Sequence, residues 1–312
     1  MHFGVMSGVL WGLDTVVLGI ALGLAPYLGG PEAAAFASIV SSFLHDAFCA
    51  AWIFIYMLAR GRLGDTLRAL RTRSGLVVAC GALLGGPVGM TGYVVAINNI
   101  GPAYTAIISA FYPAFGALLS YLLLKERMRA GQLVALFAAL LGVMAMGAVS
   151  AGDSTVGNVA VGLLGAALTV VGWGSEAVLC AWGMRDDSVD NETALQIRET
   201  TSALVYAVAV LPLFGAWPFA ATAAPSTATG VVALSGLAGA ASYLLYYKAI
   251  SRIGAARAMA LNVSYSAWAV VFGFVLQGTV PSVTTVALCL VVLVGTVLAA
   301  TDWDELTGRS RS

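Results

Sequence analysis

The sequence predicts an all-α, polytopic membrane protein of ten transmembrane helices, arranged as two inverted five-helix repeats over residues 1–150 and 151–312. Three observations carry this prediction. Of 312 residues, 60% are hydrophobic and 10% charged, with a mean hydropathy of +0.92, whereas an ordinary soluble domain carries about 25% charge. The apolar residues gather into ten stretches, each near the roughly 20 residues that a helix needs to cross a bilayer. Basic residues cluster after every second stretch, as they must if each stretch crosses.

Span 1, roughly residues 3–24, lacks the basic stretch and small-residue cleavage site of a signal peptide and is expected to remain in the membrane. Span 2, roughly 37–59, is followed by Arg60, Arg62, Arg68, Arg71 and Arg73. Span 3, roughly 75–97, repeats glycine at Gly81, Gly85 and Gly89. That leaves one helix face almost without side chains, which permits close packing or sliding during gating. Span 4, roughly 103–124, carries Pro113 and ends at Lys125, Arg127 and Arg129; span 5 covers roughly 130–149. Pro87 and Pro113 are expected to kink their helices. Span 6, roughly 158–182, precedes Arg185, and span 7, roughly 194–214, contains Arg198. Span 8, roughly 228–248, is flanked by Lys248, Arg252 and Arg257; spans 9 and 10 follow at roughly 257–277 and 281–301, with Arg309 and Arg311 beyond. Loops after odd-numbered spans hold no Lys or Arg. Both termini are therefore expected in the cytoplasm, with the chain in the cell's inner membrane.

Fifteen basic and fifteen acidic residues balance to a formal charge of zero, so no polyanion-binding face is available and nucleic acid is not an expected partner. Cys49, Cys80, Cys180 and Cys289 lie in apolar runs without zinc-site spacing, so no metal and no cofactor is expected. His45 is the one histidine inside a span, which argues against an embedded enzyme. No filter sequence suggests a channel.

Shifting the chain on itself by 153 residues aligns Tyr93, Ala96, Ile97, Ile100, Gly101 and Ala103 with Tyr246, Ala249, Ile250, Ile253, Gly254 and Ala256. The same register brings Tyr112 onto Tyr265 and Gly142 onto Gly295, with eleven identities over residues 93–142. Charge distinguishes the copies. Loop 97–102 has no basic residue, whereas its image 250–255 is flanked by Lys248 and Arg257 and contains Arg252. Equivalent loops thus belong on opposite sides, and five spans, an odd number, make a tandem copy enter inverted.

Six ionisable residues fall inside spans: Asp14, His45, Asp46, Glu176, Arg198 and Glu199. A charge at mid-bilayer costs about 2.5–3.5 kcal/mol on insertion scales, so each must face a cavity or a partner. Trp11-Gly12-x-Asp14 matches Trp173-Gly174-x-Glu176 at an offset of 162, and His45-Asp46 matches Arg198-Glu199 at 153. Asp14 and Glu176 can meet a substrate ammonium group or a coupling proton, or accept hydrogen bonds from a neighbouring helix. His45 and Arg198 can receive a substrate carboxylate or form ion pairs across the repeats. Trp11, Tyr93, Tyr112, Trp173, Tyr243, Tyr246, Tyr265 and Trp268 sit well inside spans, where they can wall a pocket that holds ammonium groups by cation–π contact or simply pack helices.

Tyr112-Pro113, the apolar run to Leu124-Lys125-Glu126-Arg127, and then Gly131-Gln132 and Gly142-Val143 resemble the drug/metabolite transporter superfamily, EamA type. Within it the chain is most similar to aromatic amino-acid exporters of the YddG kind. Ser266 and Thr279 stand where a second copy of the motif would place proline and glutamate. The resemblance implies export of amino acids or similar small metabolites by alternating access without ATP, and no Gly-x4-Gly-Lys-Ser/Thr motif is present. Sugar-phosphate, nucleotide-sugar or drug transport is the alternative; a phosphate substrate would call for clustered Lys and Arg. The expected partners are a small-molecule substrate and the lipid bilayer.

Overall fold

The computed structural model describes residues 1–149, 157–185 and 189–303. Among these it contains helices and no strand, with ten helices long and apolar enough to cross a membrane. Spans 1 to 5 are His2–Leu22, Gly30–Ala59, Arg73–Gly101, Tyr104–Leu124 and Ala130–Val149. Spans 6 to 10 are Val159–Gly183, Asn191–Phe214, Thr227–Ile253, Ala255–Gln277 and Val283–Ala300. The expected repeat boundary at 150 and 151, and Arg309 and Arg311, lie outside the described residues.

Span 2 starts earlier than its apolar run. Pro31 in the first turn has no N–H to lose and Glu32 complements the helix N-terminus, so residues that read as loop by polarity extend the helix. The prolines act as backbone breaks. Around Pro87, span 3 widens to a π-helix over Leu84–Met90. Span 4 turns at Ala110 and Phe111, and Pro113 enters the first turn of Tyr112–Leu119. Short helices Leu63–Ala69 and Trp217–Ala223 join span 2 to span 3 and span 7 to span 8.

The packing repeats with the sequence. Span 1 lies mainly on span 8 and next on span 9, while span 6 lies on spans 3 and 4, their equivalents in the other copy. Span 5 pairs with span 10, and span 2 with span 7. Each five-span copy thus sends its first helix into the other, and the two copies interlock. The turn after span 4 holds Lys125 at φ 59°, and the turn after span 9 holds Gly278 at φ 69°, 153 positions later.

Glycines set the approach of span 3 to span 6. Gly81 faces Leu179 and Cys180, Gly85 faces Glu176, Gly89 faces Trp173 and Gly92 faces Gly165. Thr169 donates a hydrogen bond to the Gly89 carbonyl at 3.0 Å, a link available only to backbones this close. One apolar core includes Met57, Leu136, Leu195, Tyr247 and Met259; a second includes Val40, Leu211, Phe219 and Val232. Outward residues such as Leu213, Val208 and Val275 remain largely exposed and apolar, as a lipid-facing surface requires.

Candidate functional site

The six ionisable residues expected inside the spans are all buried and form one connected network. At one end Asp14 of span 1 faces His45 of span 2, with His45 Nε2 at 3.1 Å from Oδ1 and 3.2 Å from Oδ2. The Ser235 hydroxyl of span 8 also donates to Asp14 Oδ1. Gly239 lies beside this pair, and a Cβ there would press on His45 Nε2 at 2.8 Å. The other end repeats the plan. Glu176 of span 6 receives Arg198 Nε of span 7 at 2.6 Å, and Gly85 of span 3 supplies the space that Glu176 fills.

Asp46 joins the two ends. It lies 3.4 Å from His45 Nδ1 and 3.6 Å from Arg198 Nη1, and it accepts a hydrogen bond from Ser202 at 2.5 Å. Neighbours on a helix point about 100° apart. That separation lets His45 turn toward span 1 while Asp46 reaches span 7. Every nitrogen of Arg198 donates: beside Nε, Nη1 donates to Glu199 at 2.8 Å and Nη2 to Tyr243 at 2.9 Å, and the guanidinium lies 4.5 Å from the Tyr243 ring centre. Four carboxylates against one guanidinium and one imidazole make the centre anionic, and it therefore suits a cationic group better than an anionic one.

Two aromatic clusters flank the network and follow the same exchange between copies. Trp173 stands 5.4 Å from Tyr93 and 5.7 Å from Tyr112, while Trp11 stands 4.8 Å from Tyr243 and 6.5 Å from Tyr265. Each tryptophan thus meets tyrosines of the opposite copy. Tyr246 is buried beside Tyr247, within electrostatic reach of Tyr112 and Glu176. Trp268 packs its backbone against Gly12, and its indole N–H is buried without a hydrogen-bond partner. Gly81, Gly85 and Gly89 pack directly on span 6, and Pro113 is buried at the restart of span 4.

A second polar chain was not anticipated from the sequence. Tyr112 donates to Asn262 Oδ1 at 3.2 Å, Asn262 Nδ2 donates to Ser7 at 2.9 Å, and Ser242 donates to the Ser7 carbonyl at 2.8 Å. It ties spans 4, 9, 1 and 8 together. Asn262, a buried amide in the middle of an apolar run, is its one sequence signal; serines are too common in spans to stand out.

Just past the end of span 2, Arg62 gathers three carboxylates, from Asp65 at 2.7 Å, Asp190 at 2.6 Å and Glu192 at 2.5 Å. This fastens the end of span 2 to the start of span 7. The Arg62 hydrogen bond holds the Asp65 carboxyl below its ordinary value. Burial pushes Asp190 upward, but the Thr193 amide and Arg62 outweigh it and the carboxyl is lowered. A cavity of about 380 Å³ opens beside this cluster, lined also by Arg68, Ala69, Thr72 and Thr193.

The profile of the EamA-like transporter family matches residues 1–148 and 160–301. Protein LicB of Haemophilus influenzae is 27% identical over 300 residues, covering 95% of each chain. A solved crystal structure shares the fold with a TM-score of 0.71, at 21% identity over 99% of this chain and 98% of the other.

Proposed function

The chain belongs to the EamA-like transporter family, and from that premise we propose that it exports amino acids, aromatic and other neutral ones among them, or similar small metabolites across the inner membrane by alternating access. The observation that carries this reading is the anionic network flanked by tyrosine and tryptophan rings where the two copies interlock. A zwitterion's ammonium group would find carboxylates in Asp14 and Glu176, with cation–π contact adding about 0.5–2 kcal/mol per ring. Its apolar side chain would lie among the rings of Trp11, Tyr93, Tyr112, Trp173, Tyr246, Tyr265 and Trp268. Binding would then bias a rocking of the copies, or of spans 3, 4, 8 and 9, about a midplane site, with both termini in the cytoplasm.

A dianionic phosphate substrate fits this centre poorly, because Arg198 is already shared among Glu176, Glu199, Asp46 and Tyr243. Counterflow of labelled amino acids into liposomes containing the purified protein tests the reading. Saturable, protein-dependent exchange is expected for at least one member of a broad panel. No exchange across the panel would remove the proposal.

A further inference from the structure

We propose that Glu199 is the proton-carrying carboxyl of this carrier, held as a neutral acid in the state described here and ionised when the copies rock. The coupling part of this inference rests on the carrier reading above; the location of the proton does not.

Asp14, Asp46, Glu176 and Glu199 face at most two cations, Arg198 and a doubly protonated His45. Two negative charges would remain uncompensated, and uncompensated charge inside a membrane is costly. At least one carboxyl is therefore best occupied by a proton, and the geometry distinguishes which. Asp14 receives the Ser235 hydroxyl and His45. Asp46 receives Ser202 at 2.5 Å, with His45 and Arg198 beyond it. Glu176 takes the shortest bond from the guanidinium, 2.6 Å.

Glu199 is the least supported. Its side chain is wholly inaccessible, Oε2 accepts one bond from Arg198 at 2.8 Å, and Oε1 is buried with no partner. Half of an anion left without a donor in such a place is far costlier than an unpartnered hydroxyl. Burial and the neighbouring Asp46 favour the acid against the pull of Arg198 and His45. Glu199 faces Arg198 on its own helix, His45, Asp46 and Cys49 from span 2, and Tyr243 from span 8, with Glu176 of span 6 across Arg198. Span 3 brings glycines to this junction: Gly85 meets Glu176 and Gly86 meets Ser202.

A proton on Glu199 lowers the excess to one negative charge, toward which the ammonium end of the proposed substrate would turn. When rocking admits water, the Glu199 O–H bond breaks, its proton leaves to that compartment, and the carboxylate falls back on Arg198. The return stroke takes a proton from the opposite side.

Infrared spectroscopy of the protein in lipid nanodiscs at neutral pH reads the proton directly. The wild type should show a protonated-carboxyl C=O band that disappears in Glu199→Gln, a substitution that imitates the neutral acid and should preserve folding. Absence of that band from the wild type, or its persistence in the variant, would overturn the proposal. In liposomes, a pH gradient acid outside should accelerate uptake of labelled phenylalanine severalfold by the wild type and leave the Glu199→Gln rate equal with and without the gradient. An equal acceleration in both proteins would overturn the coupling. Failure of the wild type to exchange any amino acid would count against the carrier reading alone, with the infrared band still deciding where the proton sits.

Discussion

Gly101 and Gly254, 153 positions apart, hold one backbone conformation: φ 80° and ψ 162° in the first, φ 86° and ψ 160° in the second. That region is open essentially to glycine alone. Each residue ends a long span and redirects the chain into the next, so the repeat found by sequence offset is also a repeat of backbone geometry.

Alanine at either position should lower stability by about 1–3 kcal/mol through strain alone. At Gly254 the added Cβ would also stand 2.8 Å from Glu126 Oε2, so that side chain must shift. Thermal unfolding in detergent provides the measurement. Gly131→Ala is the control, since nothing lies within 4 Å of a Cβ there; its unfolding temperature should not fall.

Gly85 bears on the ion network. A Cβ at Gly85 would overlap the Glu176 carboxylate. Gly85→Ala should push Glu176 off Arg198 and reduce amino-acid counterflow at least tenfold, with a smaller effect on folding than Arg198→Ala. Counterflow equal to wild type would mean that the Glu176–Arg198 pair is dispensable for transport.

Arg198 holds three carboxylates in an inaccessible place, and removing one partner of a buried pair costs about 3–5 kcal/mol because the other charges stay behind. Arg198→Ala should sharply lower the yield of folded protein. Arg198→Leu combined with Glu176→Leu should recover part of that loss, as scored by size-exclusion profile and melting temperature in a double-mutant cycle. An additive cycle would show that the two residues do not support each other.

The Arg62 cluster makes the fastening of span 2 to span 7 sensitive to acid. Asp65 and Asp190 are both lowered below the ordinary 3.8. Their contribution is therefore complete above 3.8 and is lost as pH falls through their lower folded values. The coupling between Arg62→Ala and Asp190→Asn in a stability cycle should be present at neutral pH and vanish well below 3.8. A coupling independent of pH would detach those carboxylates from the arginine.

Much of this architecture was legible because lipid is a demanding solvent. A span must be apolar for about 20 residues, and that requirement fixes its place in the sequence more firmly than helix propensity does. Asp14, His45, Glu176 and Arg198 stood out for the same reason, since their cost inside a membrane has to be offset by something. Their mutual distances were not legible, because helix packing across the two copies decides them. Nor was the part played by Ser202, Ser235 and Asn262, whose polar groups cost little enough to occur in any span. Tyr243 stands three residues before Tyr246, the alignment partner of Tyr93, yet Tyr243 is the one against Trp11 and Arg198. A one-turn difference of that kind is set by helix rotation and leaves no mark in residue counts.

Everything here turns on two copies that cross the bilayer in opposite senses, and side-specific labelling measures that most directly. Asn98 and Ser251 are equivalent in the repeat and both exposed. In a background with the four native cysteines replaced, Asn98→Cys should react with a membrane-impermeant maleimide only from outside the inner membrane, and Ser251→Cys only from the cytoplasmic side. Labelling of both from the same side would contradict the inverted repeat.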